Sequence, residues 1–165
     1  MTLPYLQPLE TAALRDLQIP EPWSFGIPNR VVFSDLDALG HVNNATFFSW
    51  FENTRLPYLR AMEVTDYGPA SPRLVLAEVG CIYRVEMLLD QDYVVTARTR
   101  ELGESSFTMD YAVFALTGDA AVMTVEAHAV IVLRTRDGTG KYPISDRARA
   151  ILSADGAVPR PGRGN

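Results

Sequence analysis

Only one long stretch of this chain repeats its apolar side chains at helical spacing. Phe47, Phe48, Phe51, Tyr58, Leu59 and Met62 recur three and four residues apart and form a broad apolar stripe. The spacing predicts one helix of about 19 residues. Pro57 lies inside it, removes one helical hydrogen bond and predicts a kink or restart near Leu56. Nearly everything after the loop at 65–73, which holds Gly68, Pro69 and Pro72, reads as strand. Runs at 74–86, 93–102, 106–115 and 121–133 are separated by Asp90-Gln91-Asp92, Gly103-Glu104 and Gly118-Asp119. In the third run Phe107, Met109, Tyr111 and Val113 alternate with Thr108, Asp110 and Ala112, which predicts an antiparallel sheet with one buried face. A further strand, 27–34, precedes the helix. One helix and five strands, with the helix covered by a curved sheet, make an α+β arrangement. A sheet of this kind leaves open edges, and pairing one with a second copy predicts a homo-oligomer.

The flanks divide the chain further. Residues 1–27 are punctuated by Pro4, Pro8, Pro20 and Pro22 and read as an arm lying over a domain at 28–152, with one short helix near residues 10–17. A polar loop at 134–141 leads to a short closing helix at 145–152, and 153–165 reads as a disordered tail. At 165 residues and 47% hydrophobic, the chain is long enough for one well-filled core and buries roughly 70% of its unfolded surface.

Net charge is −5 and there is no dense basic run, which argues against nucleic acid as a partner. Cys81 is the only cysteine and reads as a buried, inert thiol, so neither an intramolecular disulfide nor a multi-cysteine metal site is available. No metal-ligand spacing occurs, and no metal or cofactor is expected. The first ten residues have neither a basic start nor a continuous apolar stretch, and no apolar run approaches the roughly 20 residues of a membrane span. A cytoplasmic protein without a membrane span is expected.

Chemistry concentrates at the junction between the first strand and the helix. There the chain reads Ser34-Asp35-Leu36-Asp37-Ala38-Leu39-Gly40-His41-Val42-Asn43-Asn44, then Phe47-Phe48-Ser49-Trp50-Phe51-Glu52-Asn53-Thr54-Arg55. Two carboxylates, an imidazole and two amides crowd the start of a helix, whose first N–H groups have no partner inside it and suit an anion or a developing oxyanion. A carboxylate beside such donors has what acyl transfer needs. Asp35 reads as structural, Asn43 or Asn44 as a helix cap, Glu52 as half of an i,i+3 pair with Arg55, and the mid-strand His128 as structural.

These residues, in this order, resemble the hot-dog-fold thioesterases, in the branch containing 4-hydroxybenzoyl-CoA thioesterase, the bacterial long-chain acyl-CoA thioesterases and the plant acyl-ACP thioesterases. The carrying block is Asp35-x-Asp37, Gly40-His41-Val42-Asn43-Asn44 and the aromatic helix with Trp50-Phe51-Glu52 and Arg55, and the likeness covers residues 28 to about 134. It implies the hot-dog fold, a curved five-stranded antiparallel sheet wrapped around one long helix. It also implies acyl-CoA hydrolysis with Asp37 as nucleophile or general base. His41 falls where the acyl-ACP branch has a histidine, although Leu39 stands where that branch has asparagine.

Further implications are a homodimer or homotetramer with the site at the interface, and substrate contacts from Gly40, Val42, Asn43 and Asn44. The turn Leu102-Gly103-Glu104-Ser105-Ser106 is implied for the pantetheine arm. A CoA thiol with a pKa of about 8.5 leaves readily, so hydrolysis needs no serine triad. Backbone N–H groups near 40–44 would hold the oxyanion, a role worth roughly 3–4 kcal/mol per donor. The alternatives are an acyl-ACP thioesterase, whose acidic carrier would need a basic rim such as Arg134, Arg136 and Lys141, and a non-catalytic acyl-CoA-binding module.

Overall fold

A computed structural model describes residues 3–161. In chain order the elements are β1 (Leu9–Glu10), α1 (Thr11–Asp16), β2 (Phe25–Arg30), a 3-10 turn (Phe33–Asp35), α2 (Thr46–Ala61), β3 (Arg73–Tyr83), β4 (Asp92–Leu102), β5 (Ser106–Thr117), β6 (Ala120–Arg134), α3 (Asp146–Ala154) and β7 (Val158–Pro159). The strands form one sheet in the order β1-β2-β4-β5-β6-β3, with β7 beside β4. Its five long strands and single long helix are those of the hot-dog fold; the two-residue strands β1 and β7 raise the count to seven. Contacts divide the chain into two compact units, one of residues 3–58, 81–97 and 111–127, the other of 59–80, 98–110 and 128–161.

In the first unit α2 lays its aromatic stripe on the sheet. Trp50 stacks on Tyr93 of β4 at 4.1 Å and Phe51 on Tyr111 of β5 at 5.1 Å, while Tyr58 meets Phe25 of β2 edge-on at 5.5 Å. Such ring pairs add about 0.5–1.5 kcal/mol each beyond the area they bury. α2 is a continuous helix through Pro57, without the restart expected near Leu56. The helix occupies 16 residues rather than about 19.

The alternation in β5 predicts that the opposite face of the sheet meets solvent. It does not: the arm covers it. Leu9, Leu14, Ile19 and Trp23 pack against Val94, Ala112 and Phe114, with Trp23 edge-on to Phe114 at 6.4 Å. Arg15 fastens the arm by donating to the carbonyls of Ile19 at 2.6 Å and Trp23 at 2.7 Å. Residues 93–97 and 111–115 are therefore buried on both faces. The arm approaches so closely that a Cβ at Gly26 would lie 2.7 Å from Val94 Cγ1 and 3.0 Å from Leu14 Cδ2.

The first long strand also differs from expectation, ending at Arg30 rather than reaching residue 34. The Asp35 carboxylate accepts the Val32 N–H at 2.9 Å and turns the chain into the 3-10 segment, leaving Phe33 exposed.

In the second unit the expected disordered tail is instead structured as far as residue 161. α3 starts on Ser145, whose hydroxyl accepts the Ala148 N–H at 3.2 Å, and it runs to Ala154 with Leu152 buried. β7 then pairs in parallel with β4, Glu101 opposite Val158 and Leu102 opposite Pro159. The Arg160 N–H donates to the Leu102 carbonyl at 2.8 Å, and burial of Ala157 helps hold the segment down. Residues 162–165 of that expected tail lie outside the described residues. The Nε2 of His128 lies 3.1 Å from Glu78 Oε1.

Candidate functional site

The Asp37 region is a tight hairpin loop of the first unit. Leu36 and Val42 face each other as an isolated antiparallel bridge, and the Asp37 N–H donates to the His41 carbonyl at 2.9 Å. Gly40 closes the loop with φ +81, a conformation that glycine adopts without strain, and donates to the Asp37 carbonyl at 3.1 Å. Asp37 Oδ1 accepts the Leu39 N–H at 2.8 Å, an Asx turn. Oδ2 has no hydrogen-bond partner among the described residues. Asp37 thus closes its own turn with one oxygen and keeps the other free.

Asp35, two residues earlier, has the structural role expected of it. Its carboxylate caps the 3-10 turn, and its carbonyl accepts the Asn43 N–H at 2.8 Å. Asn43 in turn builds the approach to α2: its side-chain oxygen accepts the Ala45 N–H at 2.8 Å and its carbonyl the Thr46 N–H at 2.9 Å.

This bonding narrows the oxyanion donors expected across residues 40–44. The N–H groups of Gly40, Val42 and Asn43 already donate, to Asp37, Met87 and Asp35 respectively. Among the described residues, those of His41 and Asn44 have no acceptor.

His41 is half-exposed, and its Nε2 lies 3.0 Å from Glu86 Oε2. Glu86 and Tyr83, whose phenol donates to the Asn44 carbonyl at 3.0 Å, are side chains at the site that sequence reasoning did not single out. Neither belongs to a motif, and both reach the loop from far along the chain, Tyr83 from the last position of β3 and Glu86 from the segment after it, so no local signal marks them. Glu52 is solvent-exposed and 3.9 Å from Arg55, while Arg55 also donates to the Tyr111 hydroxyl at 3.3 Å; the pair expected there is present but long.

Gly103, Ser105 and Ser106 belong to the second unit, at the turn from β4 to β5, where the C-terminal segment engages them. Arg160 donates to Ser106 Oγ at 3.2 Å and to Thr108 Oγ1 at 2.8 Å, and Arg149 to the Gly103 carbonyl at 2.8 Å. Ser105 is buried and its carbonyl accepts the Leu133 N–H at 2.8 Å. No group of three or more His, Cys, Asp or Glu side chains placed to hold a metal ion occurs among the described residues, and no helix there is long and apolar enough to cross a membrane.

Comparison with known proteins agrees with this architecture. The family model of the thioesterase-like superfamily matches residues 31–152. A solved thioesterase-superfamily structure from Jannaschia sp. CCS1 is 50% identical, with a TM-score of 0.90 over 94% of this chain and 98% of that one. A thioesterase of Thermus thermophilus, solved in complex with coenzyme A and Zn, is 30% identical, with a TM-score of 0.65 over 78% of this chain and 92% of that one. The uncharacterized protein YsmA of Bacillus subtilis (strain 168) is 28% identical over 120 residues, 72% of this chain and 78% of its own length. The chain belongs to the thioesterase-like superfamily, and it is a thioester hydrolase of hot-dog fold.

Proposed function

We propose that this thioester hydrolase acts on acyl-CoA, releasing a free acid and CoA, with Asp37 as nucleophile or general base. The observation that carries the reading is the uncommitted Oδ2 of Asp37, in a loop whose His41 and Asn44 N–H groups are also uncommitted. As a base, Asp37 takes a proton from water while the water oxygen bonds to the thioester carbonyl carbon. As a nucleophile, it bonds to that carbon itself and gives a mixed anhydride, which water then cleaves. In either course the carbonyl oxygen gains negative charge, for which the free N–H groups are suitable donors. Collapse of the tetrahedral species breaks the C–S bond and expels CoA as thiolate. Water and substrate supply all the atoms, so no further cofactor is required. The coenzyme A bound to the Thermus relative supports CoA as the carrier.

The functional unit in this reading is at least a homodimer, joined through the open edge of β3, and its compartment is the cytoplasm. β3 ends the strand order, and its exposed Val75, Leu76, Val79 and Ile82 suit a second copy of the same edge.

Free-thiol release from short, long and aromatic acyl-CoAs, by wild type and Asp37→Asn, tests the proposal. Turnover that collapses in the variant supports it, and the panel identifies the acyl class. Turnover that survives the substitution removes Asp37 from the mechanism; absence of turnover on every acyl-CoA removes CoA as the carrier.

A further inference from the structure

The chain leaving β3 is anchored where it passes the site. The N–H groups of Arg84 and Val85 both donate to the Thr124 carbonyl, at 2.8 and 3.1 Å. Met87 is 1% exposed, and its sulfur lies 3.2 Å from the Thr124 hydroxyl. Three links run from this anchored segment to the site loop. The Met87 carbonyl accepts the Val42 N–H at 2.9 Å, the Tyr83 phenol donates to the Asn44 carbonyl at 3.0 Å, and Glu86 Oε2 meets His41 Nε2 at 3.0 Å. They hold His41, Val42 and Asn44, and two of those residues carry the uncommitted N–H groups.

We propose that Tyr83 and Glu86 are positioning residues for thioester hydrolysis, bracing residues 41–44 so that the His41 ring and the free N–H groups keep a fixed aim. The inference rests on the reading of the Asp37 loop as the site. The loop needs support from outside, because Ala38, Leu39 and Gly40 at its tip are exposed or half-exposed and Asp37 and His41 are only half-buried. Oxyanion donors act only when already aimed, and a misplacement of about 1 Å costs on the order of a hundredfold in rate.

Tyr83 is well held for this task. Its ring packs edge-on to Phe47 in the first turn of α2 at 5.6 Å, so the phenol is fixed from two sides. Partial burial and, after it, the neighbouring Cys81 thiol lift the pKa of that phenol to about 12, and it stays protonated at any ordinary assay pH. The Glu86 carboxylate stands 3.0 Å from His41 Nε2, so it favours a proton on that nitrogen and leaves the other ring nitrogen for the remaining role. His41 is half-exposed and Glu86 exposed, and ion pairs open to solvent add little to stability. Removal of Glu86 therefore separates positioning from a structural role.

The test uses the full chain and an acyl-CoA that the wild type turns over, with Tyr83→Phe, Glu86→Ala, Glu86→Gln and, in parallel, Asp37→Asn. Tyr83→Phe keeps the ring contact and loses the hydroxyl; kcat is expected to fall roughly tenfold with KM within about twofold, since the donors are used mainly in the transition state. Glu86→Ala should behave likewise, and Glu86→Gln should recover most of the loss because its amide oxygen can stand at the same place beside Nε2. Ring nitrogen NMR of His41 should show the Nε2–H form in wild type and Glu86→Gln, and a changed tautomer balance in Glu86→Ala. Unchanged kcat in Tyr83→Phe and Glu86→Ala overturns the proposal, as does an unchanged His41 spectrum in Glu86→Ala. A Glu86→Gln variant no better than Glu86→Ala overturns the brace at Glu86. Full activity in Asp37→Asn defeats the reading of Asp37 instead, and the His41 spectrum, which needs no turnover, then decides the proposal alone.

Discussion

Asp37 Oδ1 accepts the Leu39 N–H at 2.8 Å, so the side chain assigned to chemistry also builds its own turn. The two roles separate by substitution. Asparagine retains an oxygen for Leu39 but can neither take up a proton at neutral pH nor attack as a carboxylate. Asp37→Asn should unfold in urea within about 0.5 kcal/mol of wild type while its turnover falls at least about a hundredfold. Asp37→Ala loses both functions and should cost about 1 kcal/mol of stability as well. Equal stability losses in the two variants would refute the turn assignment.

Gly26 gives a second prediction, at the arm rather than the site. Its missing side chain leaves room for Val94 and Leu14 to approach to 2.7 and 3.0 Å of where a Cβ would stand. Gly26→Ala should cost about 1–3 kcal/mol, the usual penalty for overpacking, and lower the midpoint of thermal unfolding. A variant as stable as wild type would mean that the arm does not seat on β4 as described.

Much of this fold is legible in the sequence because it depends on local periodicity. Phe47, Phe51 and Tyr58 announce α2, and the alternation from Phe107 to Val113 announces β5. The misreadings share a different cause. Val31, Val32 and Phe33 look like strand, but the Asp35 carboxylate bends the chain there. Leu14, Ile19 and Trp23 have no period that marks them as cover for the second face of the sheet. Arg160 lies in a Pro-Gly-rich stretch, and only its bonds to Ser106 and Thr108 reveal that the stretch is held. At the site, the cluster of residues 35–44 is visible in the sequence, but which N–H groups remain free is not. That depends on Met87, which takes the Val42 donor from far along the chain.

Acid should act on the corner where Arg30 grips Asp92, Nε to Oδ1 at 2.7 Å and Nη2 to Oδ2 at 3.0 Å, with the Tyr5 hydroxyl also on Oδ1 at 2.6 Å. The Arg30 guanidinium, helped by the Tyr5 hydroxyl, holds the Asp92 carboxyl below the ordinary aspartate value, although partial burial opposes it. A carboxyl lowered on folding contributes stability above its unfolded pKa of about 3.9, and that contribution is lost as pH falls through the lower folded value. Asp92→Asn should therefore be less stable than wild type at pH 7, and the gap should narrow as the medium is taken below about pH 3. The check is urea unfolding across that range; a gap that stays constant would show that Asp92 is not ion-paired in solution.

The last prediction concerns the β3 edge. β3 terminates the strand order, and along it Val75, Leu76, Val79, Ile82 and Tyr83 are exposed. A long apolar edge with unpaired N–H and C=O groups invites strand pairing, and pairing with its own copy satisfies those groups and closes the assembly. A stable interface of this kind buries about 1,200–2,000 Å². Ile82 is the most open of these side chains, 55% exposed, and it neighbours Tyr83 without taking part in the brace at the site. Ile82→Lys places a charge on the edge of each copy, where two would face a shared apolar surface. Sedimentation velocity should show wild type as a dimer or a multiple of it, and Ile82→Lys shifted toward monomer with its far-UV circular dichroism unchanged. A wild-type protein that sediments as a monomer at micromolar concentration would remove the second copy from β3. A variant that remains dimeric would move the interface to another face.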